Sequence, residues 1–442
     1  MRILLVNAFH YLKGGVERTY LDESRWLTAA GHQVAHLAIR DPRNLESPTA
    51  AHFAPAADFG ETSPAWRQLA QLPRVMWSVP AARAMEAVLR EFRPEIAHLH
   101  APSRYLTPSI LRPLERARVP TVMTLHDFKP WCTNRILFAH GRPCERCKGG
   151  THWHALATGC VQDSHAKSAV GMVEAYAHQA MHAYRHVKLW IAPSRFVYEK
   201  AVEFGVAPAS LRVLAHGVEP PSRPSEPPSY APAEEPSGGS EPDRGFRSGG
   251  LEIRTHERFQ IPYVLFSGRL SIEKGVALLP AIARAIQPIR LVVAGEGPLG
   301  AMLVDVARRE TSTLRVVGHL EDGQLAAYRR DAAAVIVPSL FYEHFCYAAA
   351  EALLDQRPVV AAGIGAIPEL IEHEVTGQLA PPGDVGALAA ALRRAIDDAA
   401  AQRWARAGAE RVRRRSDPAL HLEGLMRIYR EAMSATQPGG AG

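Results

Sequence analysis

Near the N-terminus, Ile3-Leu4-Leu5-Val6 is an unbroken apolar run. That is the pattern of a strand buried on both faces of a parallel sheet. A loop ending at Gly14-Gly15 follows. The spacing then predicts a helix over 16–30, closed by Gly31, and a strand over 34–39, which makes a βαβ unit. The alternation goes on: a predicted helix at 80–91, strand at 95–99, helix at 107–117 and strand at 121–125. After a stretch rich in Cys and His come a predicted strand at 187–192, helix at 194–204 and strand at 211–215. The second half repeats the pattern. Strands are predicted at 263–267, 290–294, 314–317, 334–337 and 359–362, with helices between them and a last helix at 420–432. Two runs of alternating β and α predict two doubly wound, Rossmann-like parallel-sheet domains facing a cleft.

Composition divides the halves. Between Pro220 and Pro242, eight of 23 residues are proline, and Ser, Glu and Gly fill most of the rest. So little apolar surface does not offset the entropy of ordering. The expected division is therefore an N-terminal domain at 1–219, a disordered linker at 220–255 and a second domain at 256–418. A C-terminal helix at 419–434 is expected to pack back on the first domain, and 435–442 to form a disordered tail. The 442 residues allow two or three domains at roughly 100–200 each. Hydrophobic residues make up 47% and charged residues 22%, which excludes fibrous and wholly disordered classes. No apolar run approaches the roughly 18 residues of a membrane span. The first nine residues read as a strand, not a signal peptide, because Lys13-Gly14-Gly15 stands where a small-residue cleavage site would be. A cytoplasmic location is the expectation.

In doubly wound sheets, ligands bind beyond the carboxyl ends of the strands. Gly14-Gly15 lies there, between a strand and a helix start, and suits an anion. It is not the dinucleotide fingerprint G-x-G-x-x-G, which counts against a dehydrogenase. Arg269 follows the first strand of the second half, and Lys274 stands at the start of the next helix. A guanidinium fork and a mobile ammonium five positions apart suit a diphosphate. Lysine is scarce here, with 44 of the 51 basic residues being arginine. Gly295-Glu296-Gly297-Pro298 reads as a turn opening a helix with Pro near its first position. Glu343 lies in the loop after another strand, and Glu351 one to two turns into the following helix. That spacing is too long for an acid/base pair on one bond but fits two ends of an elongated ligand. Gly363-Ile364-Gly365-Ala366 is a further glycine loop at a helix start, suited to an anion.

These motifs, in this order, resemble the GT-B-fold retaining glycosyltransferases of family four. The segments carrying the resemblance are Gly268-Arg269 with Lys274-Gly275, Gly295-Glu296-Gly297-Pro298, Pro338-Ser339 with Glu343-x7-Glu351-Ala352, and Pro368-Glu369. In the first half they are Gly14-Gly15-Val16-Glu17, His98-Leu99-His100, Thr124-Leu125-His126-Asp127, Ala192-Pro193-Ser194 and His216-Gly217-Val218. The resemblance implies a sugar transfer from a nucleotide-sugar donor to a saccharide or lipid-linked acceptor, in cell-surface polysaccharide or glycolipid synthesis. It implies that Arg269 and Lys274 bind the donor diphosphate and Glu351 its ribose. Glu343 and His126 would contact the donor sugar, Gly14 and Gly15 would belong to the donor-binding loop near the phosphate and acceptor, and Gly295, also among the donor-binding residues, would shape the cleft wall. No Asp-x-Asp triplet occurs, which fits catalysis without a cofactor or a bound divalent metal. Cys346, Ala366, His216 and Glu95 stand where the family commonly has Gly, Gly, Asn and Asp.

Four of the five cysteines, Cys132, Cys144, Cys147 and Cys160, fall within 29 residues of an expected insert at 128–165. Four thiolates would suit structural zinc; four buried thiols without metal is the other reading. The net charge of +6 and pI near 9.1 admit an anionic partner without choosing one. The basic run from Arg403 to Arg415 reads as a solvated face or as a dock for anionic lipid on the inner face of the plasma membrane. The apolar stretch from Trp66 to Trp77 would extend such a contact. A glycan phosphorylase and a non-catalytic nucleotide-sugar binder are the alternatives in the same fold. No nucleic-acid partner is expected, because no aromatic and basic stacking motif is present.

Overall fold

The computed structural model describes residues 1–56, 73–74, 76–102, 105–220, 262–309 and 313–434. The expected linker beyond Pro220, the expected tail and most of the stretch from Trp66 to Trp77 lie outside the described residues.

Two six-stranded parallel sheets organise the molecule. The first contains β1 (Arg2–Val6), β2 (Gln33–Leu37), β3 (Ile96–Leu99), β4 (Thr121–Thr124), β7 (Leu189–Ala192) and β8 (Leu211–Val213). Its order is β2-β1-β3-β4-β7-β8. The second contains β9 (Tyr263–Ser267), β10 (Arg290–Ala294), β11 (Leu314–Gly318), β12 (Ala334–Val337), β13 (Val359–Ala362) and β14 (Gln378–Ala380). Its order, β11-β10-β9-β12-β13-β14, reverses direction between β9 and β12. In the first sheet the reversal lies between β1 and β3. These are the points where a doubly wound sheet opens a crevice for a ligand.

Each sheet is buried on both faces. In β1, Leu4 and Val6 join a cluster with Leu99, Met85 and Leu106, whereas Ile3 and Leu5 join one with Tyr20, Ile96 and Val122. The second cluster is closed by Leu425, Ile428, Tyr429 and Ala432 of the helix Pro418–Ser434. The last helix of the chain therefore covers one face of the first sheet. Burying a Leu or Ile side chain stabilises by roughly 1.5–3 kcal/mol, so this helix is held firmly.

Several details differ from the pattern reading. The segment between β4 and β7 holds more structure than its weak periodicity predicts. A hairpin joins β5 (Phe138–Ala139) to β6 (Arg142–Pro143), and the helices Trp153–Thr158 and His165–Ala180 follow. His140 and Gly141 between the strands both take positive φ, at 51° and 78°, as a tight hairpin turn demands. The insert thus runs well past 165. β14 was too short to read, bracketed by Gly377 and Pro381. Pro298 does not open its helix, which starts two residues later at Gly300. Nor does Lys274 start a regular helix: a single 3-10 turn, Val276–Leu278, precedes the helix Leu279–Ala285.

Candidate functional site

The side chains of interest stand at the carboxyl ends of the strands, on two walls that meet. The second domain's wall begins with Lys274. Gly275, at φ 73°, sits so close to the next loop that an added Cβ would fall 1.9 Å from the Pro338 carbonyl oxygen. Only glycine permits that approach, and it brings Lys274 against the loop after β12. There its Nζ donates to Glu343 Oε1 at 2.8 Å. Ser339 Oγ donates to the same oxygen at 2.7 Å. Burial pulls the Lys274 ammonium down, but Glu343 outweighs this and raises it, so it stays charged. The Phe341 ring lies beneath Nζ, 4.9 Å to its centroid.

Glu343 is itself buried, and the third glycine loop explains why. A Cβ on Gly365 would meet the Glu343 backbone nitrogen at 2.5 Å. The Ala366 N–H donates to the Glu343 carbonyl at 2.8 Å. This corrects the anion reading of Gly363-Ile364-Gly365-Ala366. The helix after it, Ile367–Leu370, has four residues, and the loop's N–H and close approach serve to seat Glu343.

Gly295 and Gly297 bind the β10 end to the β9 end. Gly268 N–H donates to Ala294 O at 3.1 Å and Leu270 N–H to Glu296 O at 2.8 Å. Arg269, between these two anchored residues, is exposed and has no ion-pair partner among the described residues. Lys274 and Arg269 are thus not a matched pair on one helix end. One is seated on a carboxylate, and the other stands on a stitched loop.

The first domain's wall carries Gly14, Gly15 and His126. The helix Gly15–Ala29 starts from Gly14 with no side chain capping it. Gly15 packs against the other wall, since an added Cβ would lie 3.3 Å from Tyr347 Cδ2. Tyr347 also shares a hydrogen bond with Thr19 Oγ1 at 2.7 Å. One turn on, Arg18 reaches across to Glu351 Oε1 at 3.1 Å and Asp322 Oδ2 at 3.0 Å. Arg329 holds the second Glu351 oxygen at 2.8 Å. Glu351, in the helix Tyr347–Leu354, is therefore gripped from both domains.

His126 stands after β4, partly exposed, and stacks on His216 at 5.1 Å between centroids. His216 in turn stacks on Tyr347 at 6.0 Å and meets Phe345 at 5.3 Å. Burial pushes the His126 imidazole down to about 3. His344 is also pushed down to about 3, by burial first and then by His126 and Lys274.

The structure thus gathers Gly15, His126, Lys274, Glu343 and Glu351 around one interdomain cleft, with Arg269 at its rim loop. Motif reading missed Arg18, Arg329 and Tyr347. Their partners lie up to 333 positions away, and no local spacing announces them. A second group, His98, His100 and Glu23, lies behind His126 and is fully buried.

The four clustered cysteines line one small cavity with Phe138, Arg146, His154 and Thr158. All are free thiols. Burial pushes Cys132 up to about 12 and Cys147 up to about 11. Tetrahedral zinc with Zn–S near 2.3 Å needs sulfurs about 3.8 Å apart. Among the described residues, the group of three or more ligand atoms within 4.8 Å of one another is Glu23, His98 and His100. The sulfurs have the right chemistry and a shared cavity, but their spacing is wider than a metal would impose.

In the basic helix Ala401–Arg415, Arg411 donates to the Glu369 carbonyl at 3.1 Å and pairs with Glu372 at 3.2 Å. Arg415 pairs with Glu369. Two of its cations are thus engaged with their own domain. No helix among the described residues is long and apolar enough to cross a membrane.

Comparison with known proteins bears on the fold. Residues 13–221 match the family described as Glycosyltransferase Family 4, and residues 261–398 the family described as Glycosyl transferases group 1. A glycogen synthase of Mycobacterium tuberculosis is 42% identical over 156 residues, 34% of this chain and 37% of that protein. A phosphatidyl-myo-inositol mannosyltransferase of Mycobacterium leprae is 31% identical over 172 residues, 38% of this chain and 46% of that protein. The chain therefore spans less than half the length of these curated relatives. Sucrose-phosphate synthase from Thermosynechococcus elongatus superposes with a TM-score of 0.66 at 20% identity, covering 98% of this chain and 99% of that one. Anabaena HepE in complex with UDP gives 0.64 at 17% identity, covering 98% and 100%. With one family match to each parallel-sheet domain and superposition over 98% of the chain, the chain has the GT-B fold.

Proposed function

We propose that the chain is a retaining glycosyltransferase that moves a sugar from a nucleotide-diphosphate-sugar to a saccharide or lipid-linked acceptor, without a catalytic metal. A role in cell-surface polysaccharide or glycolipid synthesis belongs to this reading. The observation that carries it is the Lys274–Glu343 pair. A charged ammonium is fixed at the switch point of the second sheet, opposite a neutral, partly exposed His126 at the end of β4.

In this reading Lys274 and Arg269 hold the donor diphosphate. Their charge is in place before the glycosidic bond breaks, so the leaving group's developing charge meets preorganised cations. That is work a divalent ion would otherwise do. Gly14 and Gly15 leave the first helix's N–H groups open to the same anion. Glu351 receives the ribose and Glu343 the donor sugar, while His126 faces that sugar from the first domain. HepE was solved with UDP and with UDP-glucose, which supports a nucleotide sugar as the donor class.

A calorimetric screen of UDP-, GDP- and ADP-sugars tests this. One nucleotide class binds, and Lys274→Ala weakens it. Binding of none, or an unchanged affinity in that variant, removes the diphosphate assignment. Glu351→Ala weakens donor binding, whereas Glu343→Ala lowers turnover more than binding.

The four-cysteine cavity is proposed to take structural zinc, which would draw the sulfurs inward. Metal analysis of protein purified without chelator is expected to find one equivalent per chain; well under one removes the proposal. Peripheral contact with anionic lipid, through the remaining arginines of the helix Ala401–Arg415, is proposed as part of the acceptor's delivery. Flotation that ignores anionic lipid content removes it.

A further inference from the structure

Behind His126 lies a buried chain of ionisable groups whose hydrogen-bond partners and charges constrain one another. It starts at the carbonyl of Ala215, which can only accept. His421 Nδ1 lies 2.7 Å away and must carry a hydrogen. His421 Nε2 lies 3.1 Å from Glu23 Oε1, a carboxylate oxygen that also only accepts. Both ring nitrogens therefore donate, and His421 is an imidazolium. Burial pulls this ring down, but its bond to Glu23 raises it, in agreement.

That assignment rests on Glu23 being ionised. Burial works against its carboxylate, and His100, His98 and His421 around it reverse that and hold it well below the usual range. Its Oε2 lies 3.2 Å from His98 Nδ1 and 3.4 Å from His100 Nε2. Neither contact is a formed hydrogen bond: His98 Nδ1 is already bonded to the Tyr429 hydroxyl at 2.8 Å, whereas Glu23 Oε2 and His100 Nε2 are both left without a partner. An acceptor-only oxygen opposite a ring nitrogen is satisfied when that nitrogen carries the hydrogen. Burial keeps His100 neutral, so its Nδ1 is left bare. That Nδ1 lies 3.0 Å from His126 Nε2, which must then be the donor. His126 is neutral too, so its Nδ1 is the bare acceptor.

We propose that Glu23 and His100 are positioning residues that fix which nitrogen of His126 carries its proton, presenting Nδ1 to the cleft as an acceptor for a sugar hydroxyl. The Glu23–His98–His100 group is not a metal site in this arrangement. His98 is hydrogen-bonded at both nitrogens, to Tyr429 and Thr124 at 2.8 Å each, and the Glu23 Oε1 is taken by His421. The tautomer assignment stands on the structure alone, whereas its use in transfer rests on the function proposed above.

Long-range proton–nitrogen spectra of the 15N-histidine-labelled full chain test the assignment, with His126 identified by its loss in His126→Gln. The wild-type ring is expected to be neutral with its hydrogen on Nε2. Glu23→Gln offers His100 an amide N–H, which inverts the relay and moves the His126 hydrogen toward Nδ1. In the same variant turnover falls at least about tenfold, by the logic of a wrong tautomer, while affinity for the nucleoside diphosphate alone is unchanged. A wild-type His126 protonated on Nδ1 overturns the proposal, and this reading needs no variant to fold. An unchanged His126 in folded Glu23→Gln overturns it as well. One equivalent of metal whose removal by EDTA shifts the His98 and His100 signals overturns it in favour of a metal site. If the wild type binds no nucleotide sugar, the function fails, and the nitrogen spectrum still decides the relay.

Discussion

The two domains share a fold and put opposite chemistry at their strand ends. The second domain's ends are glycine loops that carry cations and carboxylates into the cleft. Gly275 and Gly365 admit close backbone contact, and Lys274 and Glu343 are seated by it. The first domain's ends carry imidazoles: His98 and His100 at the end of β3, His126 after β4, His216 after β8. Burial keeps His100, His126 and His216 neutral. One wall thus supplies fixed charge and the other supplies hydrogen bonds of defined direction. Fixed charge needs a stiff backbone to hold it, and defined direction needs a buried network to set the protons.

The sharpest way to break this comparison is to remove the charge on which the neutral wall is anchored. Glu23 and His421 form a fully buried ion pair between the first helix and the last. Replacing Glu23 with Ala leaves a buried imidazolium without a partner, at a cost of about 3–5 kcal/mol. Urea unfolding followed by circular dichroism measures it, and a loss under about 1 kcal/mol removes the anchor role. The pair also has a pH signature. The folded pKa of His421 is raised, so its contribution is complete below the free imidazole value of about 6.5. It fades as pH rises through the folded value. The folded pKa of Glu23 is lowered. Its contribution is complete above the free carboxyl value of about 4.3 and fades as pH falls. Stability from this pair is therefore greatest between those values and declines on both sides. A His421→Gln variant flattens the alkaline side of that profile.

On the charged wall, the largest effect is expected from Lys274→Ala. A charge-assisted hydrogen bond contributes about 1.5–3 kcal/mol, so donor affinity falls roughly 10–100-fold. Arg269→Ala has a smaller effect, because an exposed guanidinium is already well solvated. Calorimetry with the bound nucleotide sugar compares the two. Equal losses would mean that Arg269 is drawn inward on binding, whereas a larger loss for Arg269 would reverse their assigned weights.

How far the sequence discloses each wall follows from the same contrast. Strand positions were legible because both sheets are buried on both faces, and continuous runs such as Leu4-Leu5-Val6 have no other home. β14 and the β5–β6 hairpin were not, being too short to show a period. The charged wall was legible because glycine–cation motifs are local: Gly268-Arg269 and Lys274-Gly275 lie within eight residues. The histidine wall was only half legible. His98 and His100 alternate on a strand and so share a face, but nothing local links them to Glu23 or His421. The cysteine spacing was legible as a cluster, and the distance between its sulfurs was not.

The smallest expected effect lies where the walls touch. Arg18 occupies one oxygen of Glu351 from across the cleft, at a site assigned above to the donor ribose. A ribose hydroxyl and this guanidinium then compete for one acceptor. The Arg18 side chain is 34% exposed against 15% for Glu351, so solvent reaches the contact from the Arg18 side and its worth is within about 1 kcal/mol. Arg18→Ala leaves Glu351 still paired with Arg329, so the carboxylate stays in place. Donor affinity is expected to rise by no more than about fivefold, with turnover little changed. A fall in affinity would instead make Arg18 a donor ligand in its own right, and the charged wall would then extend onto the first domain.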